Sequence, residues 1–175
     1  MKNIALTLIA CAAALWLPAQ QCSIPDVDLR DLDGNLVSST KITTPGTSTL
    51  LVFWKSSSGK CCDNLEMLQE AWDDTLSGAG IKMIAICVDC NGSWSHVKPM
   101  VNGNSWDFDT YIDVNGDLER AMAVYDVPCT MLFDKEQKLI CRYNSACMGS
   151  HEFVCKNIFD HLNMPVTTSY YDAGK

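Results

Sequence analysis

The sequence predicts an α/β sheet with helices packed on both of its faces. Three observations carry this. Ile81–Val88 is an almost uninterrupted apolar run, as expected of a strand buried on both sides. Just before it, Leu65, Leu68, Ala71, Trp72 and Leu76 recur at helical spacing. Strand and helix patterns then alternate along the chain, an order that favours a sheet covered by helices.

The elements follow in order. Ile24 to Val37 alternates apolar and polar residues around Asp33-Gly34, a hairpin signature. Pro45-Gly46 makes a turn before a strand at Thr49–Trp54. Gly59 to Leu76 reads as a helix stopped by Gly78 and Gly80. Ser93–Val101 is a weaker helix, Phe108–Ile112 a short strand and Asp117–Val124 a helix. Cys129–Phe133 and Leu139–Tyr143 form two strands with a turn near Glu136-Gln137, and Ser150 caps a last helix, Glu152–Leu162. There is no internal repeat and no sign of a second domain.

At 175 residues the chain has room for one domain with a leader. Lys2, the apolar run Ile4–Leu17 and Ala19 read as a secretory signal peptide over residues 1–20. That run is shorter than the ~20 apolar residues of a membrane span. The domain then covers residues 21–165, followed by a loose polar tail at 166–175. Export implies a periplasmic or otherwise extracytoplasmic location, with membrane association only through the leader or a lipidated Cys22. Against lipidation, Gln21 stands where a small residue is expected. The formal net charge is −8 and no basic stripe is present, which excludes nucleic acid as the expected partner.

Ten cysteines are many for a reducing compartment. Cys11 leaves with the leader, and the remaining number is odd, so at least one thiol is free or intermolecular. Cys141, Cys147 and Cys155 suggest a structural staple, Cys141–Cys147 or Cys147–Cys155. Cys87-x-x-Cys90 has zinc-knuckle spacing but no matching second pair, so no metal site is expected. His96, His151 and His161 are isolated and read as surface or helix-end residues. Asp63, Glu66, Asp73 and Asp74 read as a solvated helix face.

The chemistry concentrates in Leu50–Leu65, LLVFWKSSSGKCCDNL: an apolar strand, a Ser/Gly/Lys turn, then paired cysteines opening a helix. A thiol in a first helical turn sits near unpaired backbone N–H groups and the positive end of the helix dipole, both of which favour thiolate. Lys60 is placed to lower a neighbouring thiol's pKa further.

Strand, Phe53-Trp54, short turn and cysteine in that order resemble the TlpA/ResA-like thiol-disulfide oxidoreductases of the thioredoxin superfamily, which are AhpC/TSA-redoxin-like. Leu118–Asp134, LERAMAVYDVPCTMLFD, is similar to a second stretch of that family without gaps, and the resemblance runs from Ile24 to Leu162. It implies a thioredoxin fold with an N-terminal β-hairpin extension. It implies exchange with protein thiols and disulfides, with cysteines carrying the electrons and no cofactor. It also implies a cis bond at Val127-Pro128, shaping a groove for an extended peptide, and Trp54 as a wall beneath the turn.

One departure stands out. Ser58-Gly59-Lys60-Cys61 occupies the place of Cys-x-x-Cys, so Ser58 replaces the attacking cysteine and Cys61 matches the resolving one. A hydroxyl cannot perform thiol exchange. Three readings follow. In the first, a rebuilt dithiol joins Cys61 or Cys62 to Cys90, which matches an active-site glutamate of the family, or to Cys129; a strained Cys61–Cys62 pair is the weaker version. In the second, the chain is a monothiol peroxidase resembling peroxiredoxins, although Trp54 stands where their proline belongs and no activating arginine is evident. In the third, redox turnover is lost and the fold is a binding module.

Overall fold

The hairpin forms first along the chain, as β1 (Asp28–Asp31) and β2 (Leu36–Ser38) paired antiparallel. Gly34 takes the positive φ of +87° that its turn requires. The computed structural model describes residues 23–89, 93–144 and 151–163. The signal peptide, Cys22, Cys90, Cys147, the Ser150 cap and the 166–175 tail lie outside the described residues. Among the described residues no helix is long and apolar enough to cross a membrane.

The remaining elements are β3 (Ser48–Trp54), α1 (Gly59–Ala71), β4 (Ile81–Cys87), α2 (Val97–Gly103), β5 (Asp109–Ile112), α3 (Asp117–Ala121), β6 (Cys129–Phe133), β7 (Leu139–Asn144) and α4 (His151–Leu162). The strands form one sheet in the order β2-β1-β5-β4-β3-β6-β7. β3 pairs with β4 in parallel and with β6 antiparallel, so the apolar strands predicted to be central are central.

Side chains alternate across the sheet and divide the core in two. Leu50, Val52, Trp54, Met83, Ala85 and Cys87 point to one side, where α1, α2 and α4 cover them with Leu65, Leu68, Val101, Ile158 and Phe159. Leu51, Phe53, Ile84, Ile86, Met131 and Phe133 point to the other, where Leu118 of α3, Met122 just after it and Leu29 of the hairpin close the layer. This is the predicted α/β architecture with both faces covered.

Three helices differ from expectation. The one predicted over Ser93–Val101 opens as a 3₁₀ turn, Ser93–His96, and is α-helical only over Val97–Gly103. After Ala71 the predicted long helix widens into a π-helical turn, Trp72–Leu76, in which the Trp72 indole N–H donates to the Ile81 carbonyl at 3.0 Å. The helix predicted to reach Val124 stops at Ala121. Ala123 adopts φ +51°, and the Ala123 and Val124 N–H groups return to the carbonyls of Arg120 and Glu119 at 3.0 and 2.9 Å. That is a Schellman closure without the glycine that usually announces it.

Candidate active site

β3 delivers Trp54 to the end of the sheet, and the chain turns through Lys55–Ser58 into α1. The Ser58 N–H donates to the Lys55 carbonyl at 3.2 Å, closing this turn. Ser58 is extended (φ −105°, ψ 111°) and caps α1. Its hydroxyl oxygen accepts from the Cys61 N–H at 3.4 Å, and its carbonyl accepts from the Cys61 and Cys62 N–H groups at 3.0 and 3.2 Å. Serine favours this position because it supplies an acceptor to an otherwise orphaned donor.

The paired cysteines diverge. Cys61 is wholly buried among Trp54, Leu65 and Cys87. Cys62, one residue on, is half-buried at the edge of the same cluster. Burial raises the Cys62 thiol pKa, and the charges of Cys61, Glu66, Asp63 and Asp89 push the same way. The expectation that the helix terminus and Lys60 would hold a thiol low is therefore not met at Cys62. Lys60 is exposed, and the carboxylates around α1 and β4 together with desolvation prevail.

Trp54 is fully buried beneath the turn and meets Trp106 edge-on at 5.5 Å. Its indole N–H finds no hydrogen-bond partner among the described residues. The Val127–Pro128 peptide bond is cis. Pro128 is buried, and Val127 packs against the cluster holding Cys61 and Cys62 as well as the one on the opposite face.

The structure does not bring Cys129 to Cys61. Cys129 pairs with Phe53 across the β3–β6 ladder and shares its face, whereas Cys61 lies on the face of Trp54 and Cys87. Burial raises the Cys129 thiol, partly offset by the Arg142 charge. Cys87 belongs to the same core cluster as Cys61, on the same face; burial pushes its pKa up to about 12. Cys90 lies outside the described residues.

A constellation that sequence reading missed adjoins the turn. Asp89, just past β4 and buried, accepts the Ser56 backbone N–H on its two carboxylate oxygens at 3.2 and 3.3 Å. The Ser56 hydroxyl donates to Asp89 Oδ2, and His96 Nε2 lies 2.5 Å from that hydroxyl. His96 is a surface residue, as expected, but it is not isolated. The one available signal was an acidic residue ending an otherwise apolar strand. Among the described residues no group of three or more His, Cys, Asp or Glu is placed to hold a metal.

Comparison with known proteins agrees with this architecture. An uncharacterized thioredoxin-like protein from Porphyromonas gingivalis superposes with a TM-score of 0.69 at 25% identity, over 84% of this chain and 96% of that one. A thiol:disulfide interchange protein from Bacteroides sp. gives 0.66 at 15% identity, over 88% and 97%. StoA from Bacillus subtilis gives 0.59 at 18% identity, over 76% and 96%. No curated protein matches the sequence. The AhpC/TSA family pattern matches residues 21–143. With that match over most of its length and a sheet shared with thioredoxin-like structures, the chain belongs to the AhpC/TSA family and has the thioredoxin fold.

Proposed function

We propose that the protein is an exported thiol-disulfide oxidoreductase that meets protein thiols and disulfides through Cys62, with Cys61 buried behind it. The observation that carries this reading is the half-buried thiol in the first turn of α1, packed on the same apolar cluster as Val127 of the cis Val127–Pro128 bond. A partner strand laid along that segment would use main-chain hydrogen bonds for affinity. The electrons reside on sulfur, so the reaction needs no further cofactor. The signal-peptide pattern over residues 1–20 supports a periplasmic setting in which such exchange has substrates.

The test is differential alkylation with mass spectrometry across thiol redox buffers, combined with trapping on a peptide disulfide. The reading expects Cys62 to form a mixed disulfide that a second thiol releases, with Cys62→Ser abolishing the adduct. A Cys62 that stays unmodified while the peptide still binds would sink it.

A specific observation favours a second reading, the redox-silent binding module. Each of Cys62, Cys87, Cys129 and Cys141 has its thiol pushed up by burial, which slows thiolate chemistry. Under that reading the groove beside Pro128 binds extended peptide regardless of redox state.

A further inference from the structure

A second concave site lies away from the α1 thiols. Trp54, Cys87 and Ile112 are in register on β3, β4 and β5. Ile112 is therefore two strand spacings, about 10 Å, from Trp54 across the sheet. It lines a cavity of about 550 Å³, a volume within the range of small-ligand sites. The other walls come from the hairpin turn, the 3₁₀ turn before α2, and α2 itself.

The wall has two chemistries. Leu32, Ile112, Trp94 and Pro99 supply apolar surface. Trp94 is half-buried and, among the described residues, pairs with no other aromatic ring. The rest of the wall is polar: Ser95, Lys98 and Asn102, all exposed. The side chains of Ser95 and Asn102 have no hydrogen-bond partner among the described residues.

Lys98 Nζ reaches Asp33 Oδ1 at 2.5 Å, but both side chains are half-exposed or more, and pairs of that kind are weak. An ammonium has three donors, so two remain for a ligand. A second cation stands next to the cavity. Arg30 is paired with Ile112 across β1 and β5, which puts both side chains on one face. Its guanidinium donates to the Gly34 carbonyl at 2.6 Å. Two cations facing Asp33 favour an anion in this corner, although the chain as a whole is acidic. An aromatic ring gains from the Trp94 indole beyond simple burial, and a carboxylate gains from charge-assisted bonds to Lys98.

We propose that this cavity is a binding site for a small aromatic carboxylate. The ring lies on Trp94, Pro99, Leu32 and Ile112. The carboxylate meets Lys98, with Ser95 and Asn102 as further hydrogen-bond donors. The site is separate from Cys62 and stands whether or not that thiol exchanges disulfides.

The experiment is a titration of the protein with 2-naphthoate, followed by NMR at the Trp94 indole N–H, the Asn102 side-chain amide and the Ile112 methyl groups. Two controls are titrated beside it: 2-naphthalenemethanol, which lacks the charge, and cyclohexanecarboxylate, which lacks the aromatic ring. The expected result is saturable shifts at the three residues with a dissociation constant of about 1 mM or tighter, and both controls at least about threefold weaker. Lys98→Met should weaken 2-naphthoate about tenfold and leave 2-naphthalenemethanol within about twofold, and Lys98→Arg should restore binding. Lys98 is half-exposed, so these variants test the site without disturbing the core. No saturable shift at the three residues up to about 10 mM, or unchanged 2-naphthoate affinity in Lys98→Met, overturns the proposal. Equal binding of either control overturns it too: the alcohol would make the cavity an apolar docking groove, and cyclohexanecarboxylate would reduce it to a charge contact.

Discussion

The hydroxyl of Ser58 accepts the Cys61 N–H at 3.4 Å, long for a capping bond, and sulfur at the same position could accept it too. Ser58→Cys should therefore cost at most about 0.5–1 kcal/mol in urea unfolding. It should raise reduction of a peptide disulfide at least about tenfold, because a thiolate can attack sulfur and a hydroxyl cannot. An unchanged rate would show that something beyond residue 58 blocks exchange. Cys87 gives a second residue-scale prediction. With a pKa of about 12, only about one thiol in 10⁴ is ionised at pH 8. Its alkylation in the folded protein should run at least about 10³-fold slower than in urea, where an ordinary thiol pKa returns. Comparable rates would mean the β4 end opens readily. The Ser58 substitution and the two cysteines of α1 were legible because they are local, set within one turn. The Ser56–Asp89–His96 cluster was not, since its partners are 33 and 40 residues apart and follow no spacing rule.

Two turns of backbone decide α3. Its N-terminus is held by Asp113, which is buried and accepts the Asp117 and Glu119 N–H groups at 2.8 Å each. Burial raises the Asp113 pKa, against the lowering effect of those bonds. A carboxyl whose folded pKa lies above its unfolded value stabilises fully below the unfolded value, and loses that contribution as pH rises through the folded one. The stability of wild type relative to Asp113→Asn, which does not titrate, should fall with rising pH over that window and then level. Urea unfolding at several pH values checks this, and a difference that grows with pH would contradict it. The C-terminus of α3 rests on Ala123 at φ +51°. Ala123→Gly relieves a left-handed alanine but loosens the unfolded chain, so a net gain of about 0.5–1 kcal/mol is expected. The same residue explains why the helix was read too long: apolar spacing continues through Val124, and no glycine marks the stop. The strands were easier to read, because two-sided burial makes β3 and β4 nearly continuous apolar runs.

At the scale of the molecule the sheet is a wall as well as a scaffold. The alternation of strands and helices along the chain was legible in the sequence, whereas the order of the strands across the sheet follows no local spacing. Sharing a rim does not mean sharing a face. Each step along a strand reverses the side chain, so the residue after Pro128 points away from the α1 cluster, and Cys129 falls with Phe53 and Met131. Cys61 packs on the other side with Trp54 and Cys87. Removing either sulfur should cost about 1–3 kcal/mol as a buried contact is lost. The two losses should add within about 0.5 kcal/mol, because the sites belong to separate cores joined, among the described apolar residues, through Val127 alone. A double-mutant cycle of Cys61→Ala and Cys129→Ala by urea unfolding measures this. Coupling above about 1 kcal/mol, or an oxidised protein in which the two are joined, would require the start of β6 to rearrange and would return Cys129 to the exchange site. Additive losses, with Cys62 alkylation unchanged in Cys129→Ala, would leave the chemistry on the α1 face and make Cys129 a core residue of the opposite layer.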